Sequence, residues 1–499
     1  MGAPWRIVIG VVLLVAGLLR FWALDGGVPY AVGVDEPAIM NRVFQIMRTG
    51  DFNPHFFDYG GLYIYMQVAV ASARFMAGAV DGLWRSLDQV GPDHFYVWAR
   101  ALTAALGTAT VALLVLVGRR WGSSQALLAA SLLAVMPHHV RESHYVLTDV
   151  PITFFVTLTL LLSLRAHELK TAGAVAWAGV AAGLAASVKY PAGLALLMPL
   201  AVIGLTPAPR SARGSLLLVA LAAFAAAFLA GSPYTVLDLP GFLTGFANLP
   251  FRPRAPDMES GWITYLKHLR IGMGWPGVLL VAAGVASALV GLIRGPDRVR
   301  WVLVLLFPLV FMDSISGRGR VFARYMLPVV PFACLLASIG LHAVVGVARR
   351  VALPQAVRIG LPAALAVVAL LPPAVAAIDF DRTMAKRSTA ALAYDWITEH
   401  VPEGASLLVE RAEVRLPART YRSENVTFLT EYGYERMRQD GIGYLVASSQ
   451  SYGQVMDQPQ LHPEEYAAYR TIFDRADELV RFSPTDDHPG PELRVYRLP

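Results

Sequence analysis

The chain has 499 residues, 56% of them hydrophobic and 16% charged, with a net charge of +6. A soluble domain carries about 25% charged residues, and here the apolar residues arrive in runs of about 17 to 23, long enough to cross a bilayer, which excludes an ordinary soluble protein. The basic excess sits mainly in short loops between those runs, so membrane topology accounts for it and no nucleic-acid partner is expected.

Taken in chain order, the apolar runs predict about eleven spans, at 7–24, 99–118, 122–138, 150–164, 172–188, 191–206, 214–231, 272–293, 300–315, 325–347 and 359–378. The first follows Arg6 and lacks a small-residue cleavage site, so it reads as an uncleaved span. Residues 25–98 form one long loop with two juxtamembrane helices, about 37–49 and 61–80. The second contains Gln67, Arg74 and Asp81 at seven-residue spacing, a polar stripe expected of a helix lying in the membrane interface. Cys334, the only cysteine, sits in an apolar run, which excludes an intrachain disulfide and a cysteine-cluster metal site.

With the N-terminus in the cytoplasm, every inside loop is basic: Arg119 and Arg120, Arg165 and Lys170, Arg210 and Arg213, Arg294 to Arg300, and Arg349 to Arg358. The loop 25–98 and the tail then lie outside. The tail turns to mixed polar composition, with strands expected at 406–410, 443–447 and 492–497 and helices at 431–439 and 463–478. The expected organisation is a membrane domain over 1–380 and a small extracytoplasmic α/β domain over 381–499, in a multi-pass protein of the plasma membrane.

The acidic residues carry the functional signal. Asp35 and Glu36, in Gly33-Val-Asp-Glu-Pro37, follow the first span; Asp149, in Leu147-Thr-Asp-Val-Pro151, precedes the fourth. Both sites are predicted on the outer face, and carboxylates beside a bilayer are costly unless hydrated or paired. Asp followed two residues later by Pro is also an ordinary helix start, and capping and catalysis are compatible. Lys189, in Ser187-Val-Lys-Tyr-Pro191, and Arg324 run against the positive-inside trend, as do Arg318 and Arg320. A lipid phosphate is a natural partner for these outer-side cations, and snorkelling to headgroups is the alternative: it serves Arg318 and Arg320 better, while for Lys189 and Arg324 both readings stand open. His55, His138, His139 and His144 lack zinc-ligand spacing. If Asp35, Glu36 and Asp149 converge, they fit a Mg²⁺ or Mn²⁺ ion, although no metal is required.

These features together resemble the membrane glycosyltransferases of the GT-C fold. The likeness is to bacterial and archaeal relatives of the protein O-mannosyltransferases and of the lipid A aminoarabinose transferase, glycosyltransferase families 39 and 83. The matching elements, over about 5–380, are Asp35-Glu36, Asn53-Pro-His-Phe-Phe-Asp-Tyr-Gly-Gly-Leu-Tyr-Ile-Tyr65, Leu147-Thr-Asp-Val-Pro151, Ser187-Val-Lys-Tyr-Pro191 and Arg324-Tyr-Met-Leu-Pro-Val-Val-Pro331. The chain departs at Gly60 and Gly61, where many relatives have prolines. The resemblance implies transfer of a sugar from a polyprenyl- or dolichyl-phosphate carrier to a protein, glycan or lipid hydroxyl on the non-cytoplasmic side, with inversion. By position it implies Asp35 as general base, Glu36 and Asp149 as orienting acids, and Lys189 and Arg324 as phosphate ligands.

The residue types agree with that chemistry. A departing phosphate is already a stable anion, so one carboxylate to take the hydroxyl proton and cations on the phosphate suffice. The alternatives are a transporter or flippase of a lipid-linked substrate and a receptor. The former wants charged or broken helices at the midplane and a repeated half-structure, and most ionisable residues here lie at span ends.

Overall fold

The computed structural model describes residues 3–33, 35–207, 209–249, 254, 258–350, 354–417 and 420–499. The chain divides into two compact units, Met1–Leu24 with Ala38–Phe380 and Asp25–Pro37 with Asp381–Pro499.

The first unit is helical. α1 (Ala3–Phe21) leads to α2 (Glu36–Thr49) and α3 (Leu62–Val80), followed by α4 (Tyr96–Gly118), α5 (Ser123–Ala134), the short α6 (Pro137–Glu142) and α7 (Asp149–Leu169). Then come α8 (Ala172–Val188), α9 (Leu197–Leu205), α10 (Arg210–Gly231), the short α11 (Tyr234–Leu237) and α12 (Leu239–Ala247), α13 (Gly261–Arg294), α14 (Arg298–Ser316), α15 (Val330–Ala348) and α16 (Gln355–Met384). Helix occupies each segment predicted to span. Among the described residues, seven helices are long and apolar enough to cross a membrane, while α5, α8 and Tyr190–Leu205 are shorter apolar stretches. The protein is a multi-pass membrane protein. The basic loop expected at 349–358 is described except for 351–353, which lie outside the described residues.

α7 is a largely enclosed helix that bears on function. It packs against α4, α8, α9 and α14. Its buried threonines would each leave a hydroxyl stranded in an apolar core, yet Thr153, Thr157 and Thr159 donate to the carbonyls of Asp149, Thr153 and Phe155, four residues back. That internal satisfaction lets the helix sit centrally and hold its first residue, Asp149, in a fixed place.

Two of the three polar residues of the α3 stripe are packed against protein. Gln67 is fully buried and donates to the Tyr63 hydroxyl and the Ala99 carbonyl of α4. Arg74 lies over the rings of Trp84 and Trp98, at 4.8 and 5.5 Å, leaving Asp81 exposed past the helix end. The seven-residue spacing therefore marks a packing face against α4, at Gln67 and Arg74, and not a solvated stripe.

The second unit is a mixed five-stranded sheet of order β2-β1-β3-β5-β4, built from β1 (Ser406–Glu410), β2 (Arg422–Val426), β3 (Tyr444–Ser448), β4 (Asp477–Phe482) and β5 (Leu493–Arg497). β1 runs parallel to β2 and β3, with Leu408 opposite Leu445; β5 runs antiparallel to β3 and β4. The central strands read as continuous apolar runs because both faces are covered. α17 (Thr389–His400) covers Leu407, Val409 and Val495; α18 (Tyr434–Gln439), α19 (Ser449–Asp457) and α20 (Pro463–Arg475) cover Leu408, Leu445 and Tyr496. Residues 25–37 belong to this unit, beyond the expected boundary at 381: the Arg415 amide donates to the Tyr30 carbonyl at 2.7 Å, and the rings of Tyr30 and Tyr394 meet edge to face at 4.9 Å.

Candidate active site

Three of the candidate residues converge in the first unit. Asp149 opens α7 and is 2% exposed. The residue at the helix cap is Thr148, which makes no side-chain capping bond. Asp149 spends its carboxylate elsewhere: Lys189 Nζ lies 2.8 Å from Oδ1 and Arg324 Nε lies 3.9 Å from Oδ2. The positive end of α7 adds a favourable field for the same charge.

Lys189 occupies the break between α8 and the 3₁₀ segment Tyr190–Leu196, in extended backbone geometry. Lys189 is the extended cap between the two helical segments and Pro191 offers no backbone donor, so the chain turns here and the Lys189 side chain reaches Asp149. Two rings flank the ammonium, Tyr325 at 4.8 Å and Tyr59 at 5.5 Å, which restricts its rotamers and offsets part of its desolvation. Arg324 belongs to a second 3₁₀ segment, Ala323–Val329, with its guanidinium 5.0 Å from the Phe322 ring centroid.

The loop before α3 is docked onto the Lys189 break. Gly60 N donates to the Val188 carbonyl, Gly61 N to Ser232 Oγ, and Ser232 Oγ in turn to the Ser187 carbonyl. Tyr190 donates its hydroxyl to the Tyr59 carbonyl at 3.0 Å. A Cβ at Gly60 would stand 2.0 Å from the Ser187 carbonyl oxygen. The glycine that departs from the related pattern is thus a steric requirement of this packing, and it brings Tyr59 beside Lys189.

A further acid was not singled out from the sequence. Glu142, at the end of α6, is 4% exposed and lies 3.4 Å from Arg141. Burial pushes its carboxyl up to about 7; Asp149 adds to that rise, while Arg141, Arg324 and Lys189 oppose it. With Glu142 protonated, the cluster of Asp149, Lys189 and Arg324 carries one negative and two positive charges.

Asp35 and Glu36 fall in the second unit. Asp35 is half-buried in the turn before α2, and the Glu36 carboxylate accepts the Gly33 amide at 2.7 Å, closing that turn. Three of the four histidines are separately engaged: His55 with Asp51, His139 with Arg20, and His144 between the carbonyls of Val140 and Trp22. Among the described residues, no three His, Cys, Asp or Glu side chains converge on a common point.

Residues 40–207 match the family model described as dolichyl-phosphate-mannose-protein mannosyltransferase, a stretch that includes Asp149 and Lys189. No curated protein matches the sequence. Among solved structures, ArnT from Cupriavidus metallidurans in the apo state is similar over 99% of this chain and 97% of its own, at 14% identity and a TM-score of 0.58. The same protein bound to undecaprenyl phosphate aligns at 14% identity and a TM-score of 0.55, over 99% and 98% of the two chains. The Archaeoglobus fulgidus oligosaccharyltransferase in the apo form aligns over 89% of this chain and 69% of its own, at 12% identity and a TM-score of 0.59. The chain therefore has the GT-C fold of membrane glycosyltransferases, with a small sheet domain at its C-terminal end.

Proposed function

We propose that this protein transfers a sugar from a polyprenyl- or dolichyl-phosphate carrier to an acceptor hydroxyl on the non-cytoplasmic side of the membrane, with inversion at the anomeric carbon. The observation that carries this is the buried Asp149 held between Lys189 and Arg324, an anion receptor built at the ends of membrane helices. The family match over 40–207 and the fold shared with ArnT support it.

In the proposed reaction the acceptor oxygen attacks the anomeric carbon while the bond from that carbon to the phosphate oxygen breaks. The electron pair leaves on the carrier phosphate, which Lys189 and Arg324 stabilise. Asp35 takes the hydroxyl proton as general base. Glu36 braces the turn that presents Asp35, and Asp149 orients the two cations. The cations meet the charge that a metal would otherwise meet, so transfer should continue in EDTA; loss of transfer restored by Mg²⁺ or Mn²⁺ would assign the phosphate to a metal instead.

Purified protein in nanodiscs, given a radiolabelled polyprenyl-phosphate sugar and an envelope fraction as acceptor, tests the activity. Label should pass to the acceptor, leaving unlabelled carrier phosphate. In sealed vesicles, label that crosses the membrane still attached to its carrier would identify a flippase and overturn the proposal.

A further inference from the structure

Tyr265, near the start of α13, is fully buried, and among the described residues its hydroxyl has no hydrogen-bond partner. Buried tyrosine hydroxyls normally find one. A second buried donor nearby is also unsatisfied among the described residues: Arg254 Nη1 has no acceptor there, although the same guanidinium serves the Glu259 carbonyl and Thr264 Oγ1. Arg254 Nη1 can only donate and the phenol can donate as well, so one group that completes both is an acceptor. Tyr325, Arg318, Arg254 and Asp149 are among the groups close enough to act electrostatically on the phenol. Two of these are permanent cations, a setting that suits a phosphate oxygen as the acceptor.

The position is rigid. Gly261 packs so tightly that a Cβ there would lie 2.1 Å from the Ser316 carbonyl oxygen, and the Arg254 amide donates to the Gly317 carbonyl at 3.0 Å. The start of α13 is therefore pinned to the end of α14, and Tyr265 is held in place whether or not its hydroxyl is used. Tyr325, the first of its electrostatic neighbours, is also the ring beside Lys189, which ties Tyr265 to the same cluster.

We infer that the Tyr265 hydroxyl donates a hydrogen bond to a phosphate oxygen of the bound lipid carrier, with Arg254 beside it. The inference rests on the phosphate reading of the Asp149–Lys189–Arg324 cluster. Tyr265 is a binding residue that adds a neutral donor to the cations, and it costs the empty protein an unsatisfied hydroxyl.

Tyr265→Phe deletes that hydroxyl and little else. Wild type and variant in nanodiscs are titrated with undecaprenyl phosphate and, separately, undecaprenol, following thermal unfolding. Without lipid the variant should unfold at or above the wild-type temperature, and its Kd for undecaprenyl phosphate should rise about ten-fold or more. Equal Kd values in a wild type that prefers the phosphate to the alcohol would overturn the inference alone. A less stable lipid-free variant would also overturn it, because the hydroxyl would then serve the fold. A wild type that binds both lipids equally would remove the phosphate reading and this inference with it.

Discussion

Removing Lys189 should separate what the ion pair does for the fold from what it does for a ligand. Asp149 is buried to within 3% at its side chain, and Lys189 is the partner at hydrogen-bond distance, Arg324 standing farther off at 3.9 Å. Lys189→Met keeps the aliphatic stem and strands the carboxylate; breaking a buried pair from one side costs about 3–5 kcal/mol. Asp149→Asn in the same chain removes the stranded charge, and a double replacement is expected to recover most of that loss. Carrier affinity should behave differently. A charge-assisted contact to phosphate contributes about 1.5–3 kcal/mol, so both Lys189→Met and the double variant should bind undecaprenyl phosphate about ten-fold or more weakly. Thermal unfolding and lipid titration of the two single variants and the double variant supply the full cycle. Recovered stability with persistent loss of affinity is the expected pattern. A Lys189→Met protein as stable as wild type, with unchanged affinity, would refute the reasoning and return Lys189 to snorkelling.

Gly60→Ala should lose carrier binding and about 1–3 kcal/mol of stability, since its Cβ meets the Ser187 carbonyl at 2.0 Å; Gly204→Ala, with open space around it, is the control, and equal behaviour of the two would dismiss the docked loop. Glu142 carries a folded-state carboxyl raised by burial to about 7, so between its ordinary range and 7 the folded state holds a proton that the unfolded state has lost. Stability from this group therefore falls as pH rises through that window, by on the order of 3 kcal/mol in total. Glu142→Gln should flatten the dependence, and an unchanged slope of unfolding temperature against pH would contradict it.

How far the sequence carried differs between elements for physical reasons. Bilayer-length apolar runs are strong signals, and helix stands at each. β1, β3 and β5 were legible as apolar strands, but β2 (Arg422–Val426) and β4 (Asp477–Phe482) are polar edge strands whose pairing depends on neighbours. Spacing alone marked Gln67 as polar without saying that its partners were Tyr63 and Ala99. Asp149 left capping and pairing open; the structure shows its oxygens directed at Lys189 and Arg324, which come from distant parts of the chain. Glu142 and Tyr265 carried no local signal, because one stands out only by burial near the cluster and the other only by an unmet hydroxyl. Residues 25–37 read as part of a membrane loop because nothing in their composition names Tyr394 and Arg415 as partners.

The central claim, carrier-dependent transfer with Asp35 as base, is tested most directly by one rate comparison. Wild type and Asp35→Asn are given radiolabelled polyprenyl-phosphate sugar and an envelope acceptor fraction, with unfolding temperature measured on the same samples. Asn caps a helix about as well as Asp but cannot take the hydroxyl proton. Transfer by the variant should fall by about 10²–10⁴-fold while the unfolding temperature holds. Transfer by Asp35→Asn at the wild-type rate, or no transfer by the wild type, would contradict it.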